Sequence, residues 1–432
     1  MESIWVENSE KVRFDALRGN KKTDVLIVGG GITGILCAYK LKNAGVDFML
    51  VEACEILGGI TRNTTAKLTL SHGLMYDKLI KRFGVEKSRQ YLNAQLKALE
   101  EYERLCKNID CDYEKRDNFV YSLKSRKKIE GEVAALERLG VKAAFSDSLE
   151  IPLAVAGAVR VNDQAQFHPL KFLYEIAKEL PIFEDTKVTQ LKPKSAVTGN
   201  GEIEFKRLII ATHFPILNKH GLYPIKLYQH RSYVIALKGA GSVNGMYVDE
   251  SERGLSFRSY KDLLLLGCGG HRTGKKGGYW QDGEDYAKEH FENARIVEKW
   301  ATQDCMTLDR VPYIGRYSAS TPDVFVATGF NKWGMTNAMV ASDILCDLVL
   351  DKHNPYAEVF SPSRSILHTQ LAVNIFESAV GLLTPTAPRC PHLGCALKYN
   401  PAEHSWDCPC HGSRFSEDGR LIDNPATDDK KL

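Results

Sequence analysis

One uninterrupted pattern between Asp24 and Glu52 constrains the fold of this 432-residue chain more than any other feature of its sequence. An apolar run at 25–28 leads into a glycine-rich turn, a helix-like stretch follows, and 48–51 forms a second apolar run. This order of strand, turn, helix and strand is typical of a βαβ unit, in which a helix joins two parallel strands. The pattern therefore predicts an α/β fold built on a parallel sheet.

The glycines of the turn have the GxGxxG spacing that lets backbone approach a pyrophosphate held against a helix N-terminus. The candidate binding residues in this turn are Gly29, Gly31, Ile32, Thr33 and Gly34. Glu52 follows the last glycine at close to the offset, about 20 residues, at which an acidic side chain accepts hydrogen bonds from a ribose hydroxyl. A glycine turn that serves close packing alone is the alternative, but the surrounding strand, helix and acid favour a dinucleotide site.

A polar loop follows the acid. Residues 58–67 read GGITRNTTAK, which is far too polar for a buried core. We expect this loop to pass along the diphosphate a second time, toward a flavin ring. Its candidate binding residues are Gly59, Thr61, Thr64 and Thr65.

With these segments the chain resembles the D-amino-acid oxidase and glycine oxidase superfamily of FAD proteins, over roughly residues 22–350. FEDTKVTQLK puts Val188 where that family lets a strand contact the adenine, and KRLIIAT at 206–212 looks like its second dinucleotide-side strand. PYIG at 312–315 and the following DVFVATGFNKWGMTNAM look like its last flavin segment, where a helix N-terminus would favour reduced flavin. The residues implied there are Gly329, Trp333, Gly334, Met335 and Thr336. A packed glycine turn beside an aromatic core residue is the alternative for this last segment.

The end of the chain concentrates four of its eleven cysteines. Cys390 and His392 form a CxH pair, and Cys408 and His411 form a CxxH pair. A Rieske [2Fe–2S] centre has two thiolates on one iron and two imidazoles on the other, so each loop has to offer one cysteine and one histidine. Zinc is the alternative, although zinc modules usually take paired cysteines from one loop and paired histidines from another.

This tail resembles the Rieske proteins of cytochrome bc type, in which a disulfide ties the two cluster loops together. The resemblance implies one disulfide candidate, Cys395 with Cys410. The sequence departs from the family ahead of the first loop, where SILHTQLAVNIFESAVGLLTP predicts a helix rather than strands. Too few residues follow His411 for the mononuclear-iron domain of Rieske oxygenases, which disfavours oxygenase chemistry.

The whole order resembles bacterial FAD-dependent oxidoreductases with a C-terminal Rieske domain. It implies an α/β fold in which an FAD-binding Rossmann-like domain carries an inserted α+β substrate domain, followed by a small Rieske-type β module that binds the cluster. We expect a flavoprotein unit at 1–363 and a short Rieske domain at 364–432. The expected FAD-binding parts are about 22–85, 150–215 and 305–352, and the substrate or insertion parts are about 86–149 and 216–304. A charged, helix-like pattern from about 77 to 140 predicts a helical surface insertion.

The net charge and the number of cysteines restrict the classes of partner and the cellular locations that we expect for this protein. The formal net charge is only +3 with 26% charged residues, so no basic stripe suits nucleic acid. No apolar run approaches the roughly 20 residues that span a bilayer, and the start of the chain lacks a signal-peptide stretch. Eleven cysteines, an odd number, argue against a secreted disulfide framework. We therefore expect a cytoplasmic protein without an integral membrane segment.

The combined features predict an FAD-dependent oxidoreductase that oxidises a small amine or amino-acid-like substrate. Electrons would pass from FAD to the cluster and on to an external acceptor. Two alternatives stay open: a reductase that runs electrons from a reduced carrier through the cluster to FAD, and a non-catalytic redox sensor or electron carrier. The sequence names no catalytic base, and the candidate pocket residues are His72, Arg258, His271 and Arg272.

Asp304 bears on the charge of the substrate. Amino-acid-oxidising relatives place an arginine a few residues before the aspartate that precedes their last flavin segment, and counting back from Asp309 puts Asp304 there. An aspartate repels a carboxylate and attracts a cation, so a simple amine is favoured over an amino acid. An Asp304 that only caps or pairs on the surface is the alternative. The offset of Cys305 matches a covalent flavin link of sarcosine-oxidase type poorly, so we expect noncovalent FAD.

Overall fold

The computed structural model describes residues 2–217, 220–385 and 388–430, and the elements below lie in those ranges. The helices are α1 Ile4–Glu7, α2 Ile32–Asn43, α3 Tyr76–Cys106, α4 Arg126–Leu139, α5 Pro169–Ala177, α6 Tyr223–Lys226, α7 Gln281–His290, α8 Gly334–Val349, α9 Ala357–Phe360 and α10 Thr369–Leu383, with a 3-10 helix at Ile60–Asn63. The first ten strands are β1 Lys21–Val28, β2 Phe48–Val51, β3 Lys67–Leu68, β4 Glu114–Ser122, β5 Ala143–Ser146, β6 Gly157–Gln166, β7 Ile182–Phe183, β8 Val188–Lys192, β9 Ser195–Thr198 and β10 Gly201–Ile210. The remaining strands are β11 Leu227–Lys238, β12 Gly245–Asp249, β13 Ser256–Tyr260, β14 Leu263–Arg272, β15 Arg295–Thr307, β16 Tyr313–Arg316, β17 Val324–Thr328, β18 Lys398–Asn400, β19 Ser405–Asp407, β20 Arg414–Ser416 and β21 Leu421–Asp423.

The first sheet confirms the predicted nucleotide-binding α/β fold. Its main path runs β16-β17-β10-β1-β2-β7, and the strands from β17 to β7 are parallel to one another. The central strand β1 is apolar along the half that enters the turn, and Leu26 and Ile27 are fully buried. Such continuous apolar strands are typical of parallel sheets, because helices cover both of their faces. The carboxyl ends of β1, β2, β10 and β17 therefore meet at one edge, where the glycine turn begins.

The second sheet has nine strands, and none of them is hydrogen-bonded to a strand of the first sheet. Its path runs β15-β11-β14-β13-β12-β4-β6-β3, with β5 beside β6. The long strands β11, β14 and β15 pair antiparallel over most of their length. This mixture of sheet and helices agrees with the α+β substrate part expected beside the FAD-binding part.

The helical insertion expected at about 77–140 is only partly correct. Helices α3 and α4 are present, but the strand β4 lies between them and joins the second sheet through β6 and β12. Only the second half of β4 is mostly buried, whereas its first half, EKRD, is charged and mostly part-exposed. Those charges made the segment resemble the helices on either side.

The C-terminal module is a small antiparallel sheet in the order β18-β19-β20-β21. The helix expected ahead of the first cluster loop is present as α10. Among the described residues, no helix combines the length and the apolar character needed to cross a lipid bilayer.

Candidate functional site

A cavity of about 550 Å³ draws its walls from both large sheets and from the C-terminal module. It brings together most of the residues that the sequence singled out for a dinucleotide. Those that line it are Gly29, Gly31, Ile32, Thr33, Glu52, Gly59, Thr61, Thr64, Thr65, Val188, Gly329, Trp333, Gly334 and Met335. Two of the candidate residues, Gly34 and Thr336, lie outside this lining.

The glycine turn needs its glycines for close backbone approach. Gly29 has φ +112°, and a Cβ there would stand 2.6 Å from the Ala211 carbonyl oxygen on the neighbouring strand. A Cβ at Gly34 would stand 1.9 Å from the Gly29 carbonyl oxygen, so Gly34 lets α2 begin directly against the turn. Gly31 is the N-cap of α2 and has no capping side chain. The Thr61 hydroxyl accepts from the Ile32 N–H at 3.1 Å, which leaves the following N–H groups of the first turn for a diphosphate.

Glu52 holds the turn together as well as lining the cavity. Its Oε2 accepts a hydrogen bond from the Gly30 N–H at 2.7 Å, and its Oε1 accepts one from the Cys54 N–H at 3.1 Å. Burial raises the pKa of this carboxyl, and the backbone donors oppose that rise. The sequence predicted only contact with a ribose, and the support that Glu52 gives to the turn was missed.

At the other end of the cavity, Trp333 stacks on His72 with ring centroids 5.1 Å apart. Both ring nitrogens of His72 are engaged: Nδ1 with the Tyr91 hydroxyl at 2.7 Å and Nε2 with the Thr336 hydroxyl at 2.8 Å. Burial lowers the pKa of His72 to about 3, so the ring is neutral. Thr336 therefore orients His72, and His72 in turn supports Trp333. Helix α8 begins at Gly334, and its uncapped N-terminus faces the cavity.

Three of the four candidate pocket residues do not reach the cavity lining, and His72 alone of the four does. Arg258 donates to the carbonyl oxygens of Thr65 and Ala66 from behind the polar loop, at 2.7 and 2.8 Å. His271 bonds to the Gly269 carbonyl. Arg272 donates to the Pro409 carbonyl at 3.2 Å, in the C-terminal module. The selection of His271 and Arg272 as pocket residues was wrong, because His271 bonds within its own strand and Arg272 bonds to the tail.

Several ionisable side chains line the cavity without a partner of opposite charge at ion-pair distance among the described residues, and three of them bear on the substrate. Asp304 is one, and burial raises the pKa of its carboxyl to about 6 against the opposing effect of Lys332 and Arg231. Lys332, from the loop before α8, has its pKa lowered by burial. Lys67, at the start of β3, is the third. Sequence reasoning found Asp304 by its offset but missed both lysines, since neither belongs to a spaced motif.

The two cluster loops are built alike. In each, the N–H of the first cysteine bonds to the carbonyl five residues later, and the glycine N–H bonds back to the carbonyl of that cysteine. The bonds are Cys390 to Cys395, 2.9 Å; Cys408 to Ser413, 2.8 Å; Gly394 to Cys390, 2.9 Å; and Gly412 to Cys408, 2.9 Å. Both glycines have positive φ, +78° and +88°, which closes each loop tightly. The CxH pair and the CxxH pair are therefore held by two loops that have the same pattern of backbone hydrogen bonds.

The predicted cluster ligands converge at these loops. The thiols of Cys390 and Cys408 are in hydrogen-bond contact, and the rings of His392 and His411 lie 5.0 Å apart. His411 is 3% exposed, and within the described chain its Nδ1 is buried without a hydrogen-bond partner. Two thiols beside two imidazoles, one of them with a free buried nitrogen, fit the donor set of a Rieske cluster.

The second cysteine pair lies beside the first. The Sγ atoms of Cys395, Cys408 and Cys410 all lie within 4.8 Å of one another. A Cβ at Gly381 of α10 would stand 2.5 Å from the Cys410 Sγ, so this helix presses directly on the pair. All the described cysteines are free thiols in the structure, and the Cys395–Cys410 disulfide stays a prediction.

Only a thin wall separates the cluster loops from the cavity. Ala426 lines the cavity, and its N–H donates to the Ser413 hydroxyl oxygen at 2.9 Å. The Ser413 hydroxyl in turn bonds to the Cys390 sulfur. The His411 ring donates to the Pro224 carbonyl and lies against Phe214, with centroids 6.4 Å apart.

A buried ionic network fixes the module at this position. Arg231 and Tyr233 of β11 both donate to Glu403 Oε1, at 3.0 and 2.7 Å. Arg414 donates to Glu403 Oε2 at 2.7 Å and to Asp407 at 3.0 Å. The two guanidinium groups hold the pKa of Glu403 at about 2, against its burial.

Comparison with known proteins agrees with both halves of this arrangement. The model of a family described as FAD dependent oxidoreductase matches residues 24–348, and that of the Rieske [2Fe-2S] domain matches residues 362–431. The Rieske 2Fe-2S iron-sulfur protein YhfW of Bacillus subtilis strain 168 is 32% identical over 98% of this chain and 96% of its own length.

Two further proteins are similar to about four fifths of the chain. The gamma-glutamylputrescine oxidoreductase of Escherichia coli strain K12 is 24% identical over 78% of this chain and 85% of its own. The crystal structure of glycine oxidase from Geobacillus kaustophilus superposes with a TM-score of 0.66 at 16% identity, covering 80% of this chain and 100% of that one.

Proposed function

Because the chain belongs to the FAD dependent oxidoreductase family and carries a Rieske [2Fe–2S] domain behind that unit, we propose that it oxidises an amine and relays the electrons between its two cofactors. The substrate is a small amine or an amino-acid-like compound, and the final acceptor is an external electron carrier. When bound, FAD accepts a hydride from carbon and the cluster accepts single electrons. The cytoplasmic location expected from the sequence stays a prediction.

The residues that hold FAD in this proposal are the cavity-lining ones of the two glycine turns. The glycine turn presents the first turn of α2 to the diphosphate, and Glu52 accepts from the ribose while it braces the glycine turn. Gly329 and Gly334 keep the backbone before α8 close to the flavin ring, and Trp333 is held there by His72. Cys390, Cys408, His392 and His411 hold the cluster.

The observation that carries the relay is the thin wall between the two sites. A cavity-lining residue, Ala426, is joined to the cluster ligand Cys390 through the single side chain of Ser413. His411 is turned inward against Phe214, whose neighbour His213 lines the same cavity. The two cofactors would therefore lie on either side of this wall, which supports direct electron exchange between them.

The charge of the cavity supports an amine as the substrate. Asp304 lines the cavity, so its carboxylate is in a position to attract a cationic group. Two of the relatives agree with this chemistry, since their names specify a putrescine derivative and glycine, both of which carry an amino group. Because the Asp304 carboxylate would repel the carboxylate of an amino acid, a simple amine is favoured over an amino acid.

The test is anaerobic mixing of the purified protein with benzylamine, putrescine and glycine in separate experiments. We expect at least one amine to bleach the flavin absorbance, and the Rieske electron paramagnetic resonance signal of the reduced cluster to follow. If no amine bleaches the flavin, the oxidative function is wrong and the reductase or sensor is favoured. If the flavin bleaches while the cluster stays oxidised, the relay is wrong.

A further inference from the structure

Lys67 is a buried lysine on the cavity wall that lacks an acidic partner. It begins strand β3, is 8% exposed and lines the cavity. Its Nζ donates to the Thr65 hydroxyl at 3.0 Å, and no carboxylate in the described ranges makes an ion pair with it. A buried ammonium without a counter-ion is costly, so the neutral amine is favoured at this position.

A second cation strengthens this effect. Arg258 of β13 is 1% exposed and donates to the carbonyl oxygens of Thr65 and Ala66, the two residues directly before Lys67. Burial and the Arg258 charge together lower the pKa of Lys67 to about 7. At neutral pH a large fraction of Lys67 therefore carries a free lone pair that faces the cavity.

The other groups packed around Lys67 do not restore its positive charge. Gln166, opposite Lys67 on β6, is neutral and donates to the Ser259 carbonyl. Glu114 and Arg116 of β4 pair with each other, and their charges act on Arg258 rather than on Lys67. His72, which follows β3, bonds to Tyr91 of α3 and Thr336 of α8, and burial lowers its pKa to about 3, so it adds no positive charge beside Lys67.

We propose that Lys67 is a catalytic residue that takes the proton from the ammonium group of the substrate before its C–H bond is broken. This inference rests on the proposed function, because it requires an amine as the substrate. One N–H bond of the substrate breaks, its electron pair stays on the substrate nitrogen, and one N–H bond forms at Nζ. No electrons change hands in this step. The positive charge moves from the substrate to Lys67, and the Thr65 hydroxyl accepts a hydrogen bond from the resulting ammonium.

The kinetic test compares the wild type with Lys67→Met and Lys67→Arg. The rate of anaerobic flavin reduction by benzylamine, putrescine and glycine is measured from pH 5.5 to pH 9.5. For any amine that reduces the wild type, we expect the rate to rise about tenfold per pH unit below pH 7 and to level off above it. Both variants lose the plateau, so that their rate goes on rising with pH above pH 7, and both are about 100-fold slower at pH 7.5, since a general base contributes about 10²–10⁴-fold. Their residual rate follows the fraction of free amine in solution.

The matched control is Lys127→Met, an exposed lysine on α4, which keeps the wild-type rate and profile. If amines reduce the wild type and Lys67→Met keeps both the wild-type rate and the plateau above pH 7, the role of Lys67 is overturned and the proposed function stands. If no amine reduces the wild-type flavin, the proposed function fails first and the inference fails with it.

A second measurement needs neither turnover nor a folded variant. Wild-type holoprotein is treated briefly with cyanate at a series of pH values, and carbamylation of each lysine is read by peptide mass mapping. We expect half-maximal labelling of Lys67 near pH 7, well below the pH at which ordinary lysines of about pKa 10.4 are labelled. Labelling of Lys67 near pH 10 overturns the inference. So does no labelling at all, since a lysine that cyanate cannot reach cannot meet a larger substrate.

Discussion

The guanidinium of Arg231 binds both carboxylate oxygens of Glu403, so that a strand of the second sheet and a loop of the cluster module share one buried ion pair. Arg231 is 2% exposed, and the Glu403 side chain is 11% exposed. The Tyr233 hydroxyl and Arg414 bond to the same carboxylate. Both carboxylate oxygens of Glu403 therefore accept hydrogen bonds, and these bonds offset the free-energy cost of burying its charge.

The first prediction concerns acid stability. The pKa of Glu403 is about 2 in the folded protein, below its ordinary value of 4.5. Because the folded pKa is lowered, the stabilisation is complete above pH 4.5 and is lost as the pH falls toward 2. This stabilisation of the folded state amounts to roughly 3 kcal/mol.

The urea midpoint for loss of cluster absorbance should fall across this pH window in the wild type. Glu403→Gln should have a lower midpoint at pH 7 and a flatter pH dependence. Glu289→Gln, an exposed position on α7, serves as the control and should behave as the wild type. An unchanged midpoint in Glu403→Gln would contradict this role.

The second prediction concerns FAD retention. Glu52→Ala removes the carboxylate that accepts from the Gly30 and Cys54 N–H groups and, as proposed, from the ribose. Loss of one charge-assisted hydrogen bond costs about 1.5–3 kcal/mol, which is about 10- to 100-fold in the dissociation constant. The loss of FAD affinity is measured by flavin occupancy after gel filtration and by FAD titration of the apoprotein. Glu55→Ala is the matched control, because Glu55 also lines the cavity but pairs with Lys11. Full occupancy in Glu52→Ala would count against the placement of the ribose.

The third prediction concerns the charge of the substrate. Asp304→Ala should weaken binding of a reactive amine at least about tenfold, since a charge-assisted contact of about 1.5 kcal/mol or more is lost. The pKa of Asp304 is about 6, so wild-type affinity for the cationic amine should also fall as the pH drops below 6. The substrate dependence of flavin reduction by stopped flow gives both results. Strong reduction of the flavin by a simple amino acid, with no decrease in Asp304→Ala, would contradict this role of Asp304.

The fourth prediction separates the two redox centres. His411→Ala removes one imidazole ligand and should abolish the Rieske electron paramagnetic resonance signal, while the flavin spectrum and flavin reduction by substrate persist. Turnover with a one-electron acceptor should fall sharply. His404→Ala, an exposed histidine of the same module, is the control and should keep both. Iron and sulfide analysis of the wild type decides the alternative, because a zinc site would contain neither. Unaltered turnover in a cluster-free variant would overturn the relay.

The parts of the site that follow from sequence are those set by local spacing. Gly29 and Gly34 were foreseen because a fixed spacing expresses a fixed backbone approach, and the ligand pairs of the two loops were foreseen in the same way. Lys67 was not foreseen, because its state depends on Arg258, which is distant in sequence and contacts the same loop. The second role of Glu52 also depends on a folded turn.

The errors have a similar origin. Arg272 and His271 were chosen as pocket residues for their chemistry, but their partners lie in the tail or in their own strand. Strand β4 was missed because its charged half resembles the flanking helices, and its strand character comes from pairing with β6. Such contacts are tertiary and leave no periodic signal in the chain.

The shared network also bears on the order in which the protein is assembled. Within the module, three acids, Glu403, Asp407 and Asp423, surround the one guanidinium of Arg414, and the second cation, Arg231, comes from strand β11. During synthesis β11 emerges well before the tail, so the body can present Arg231 before those acids exist. The module then completes its charge balance by docking, and an excised module would carry a surplus of buried negative charge. The flavin-binding body thus acts as the template on which the cluster module is folded.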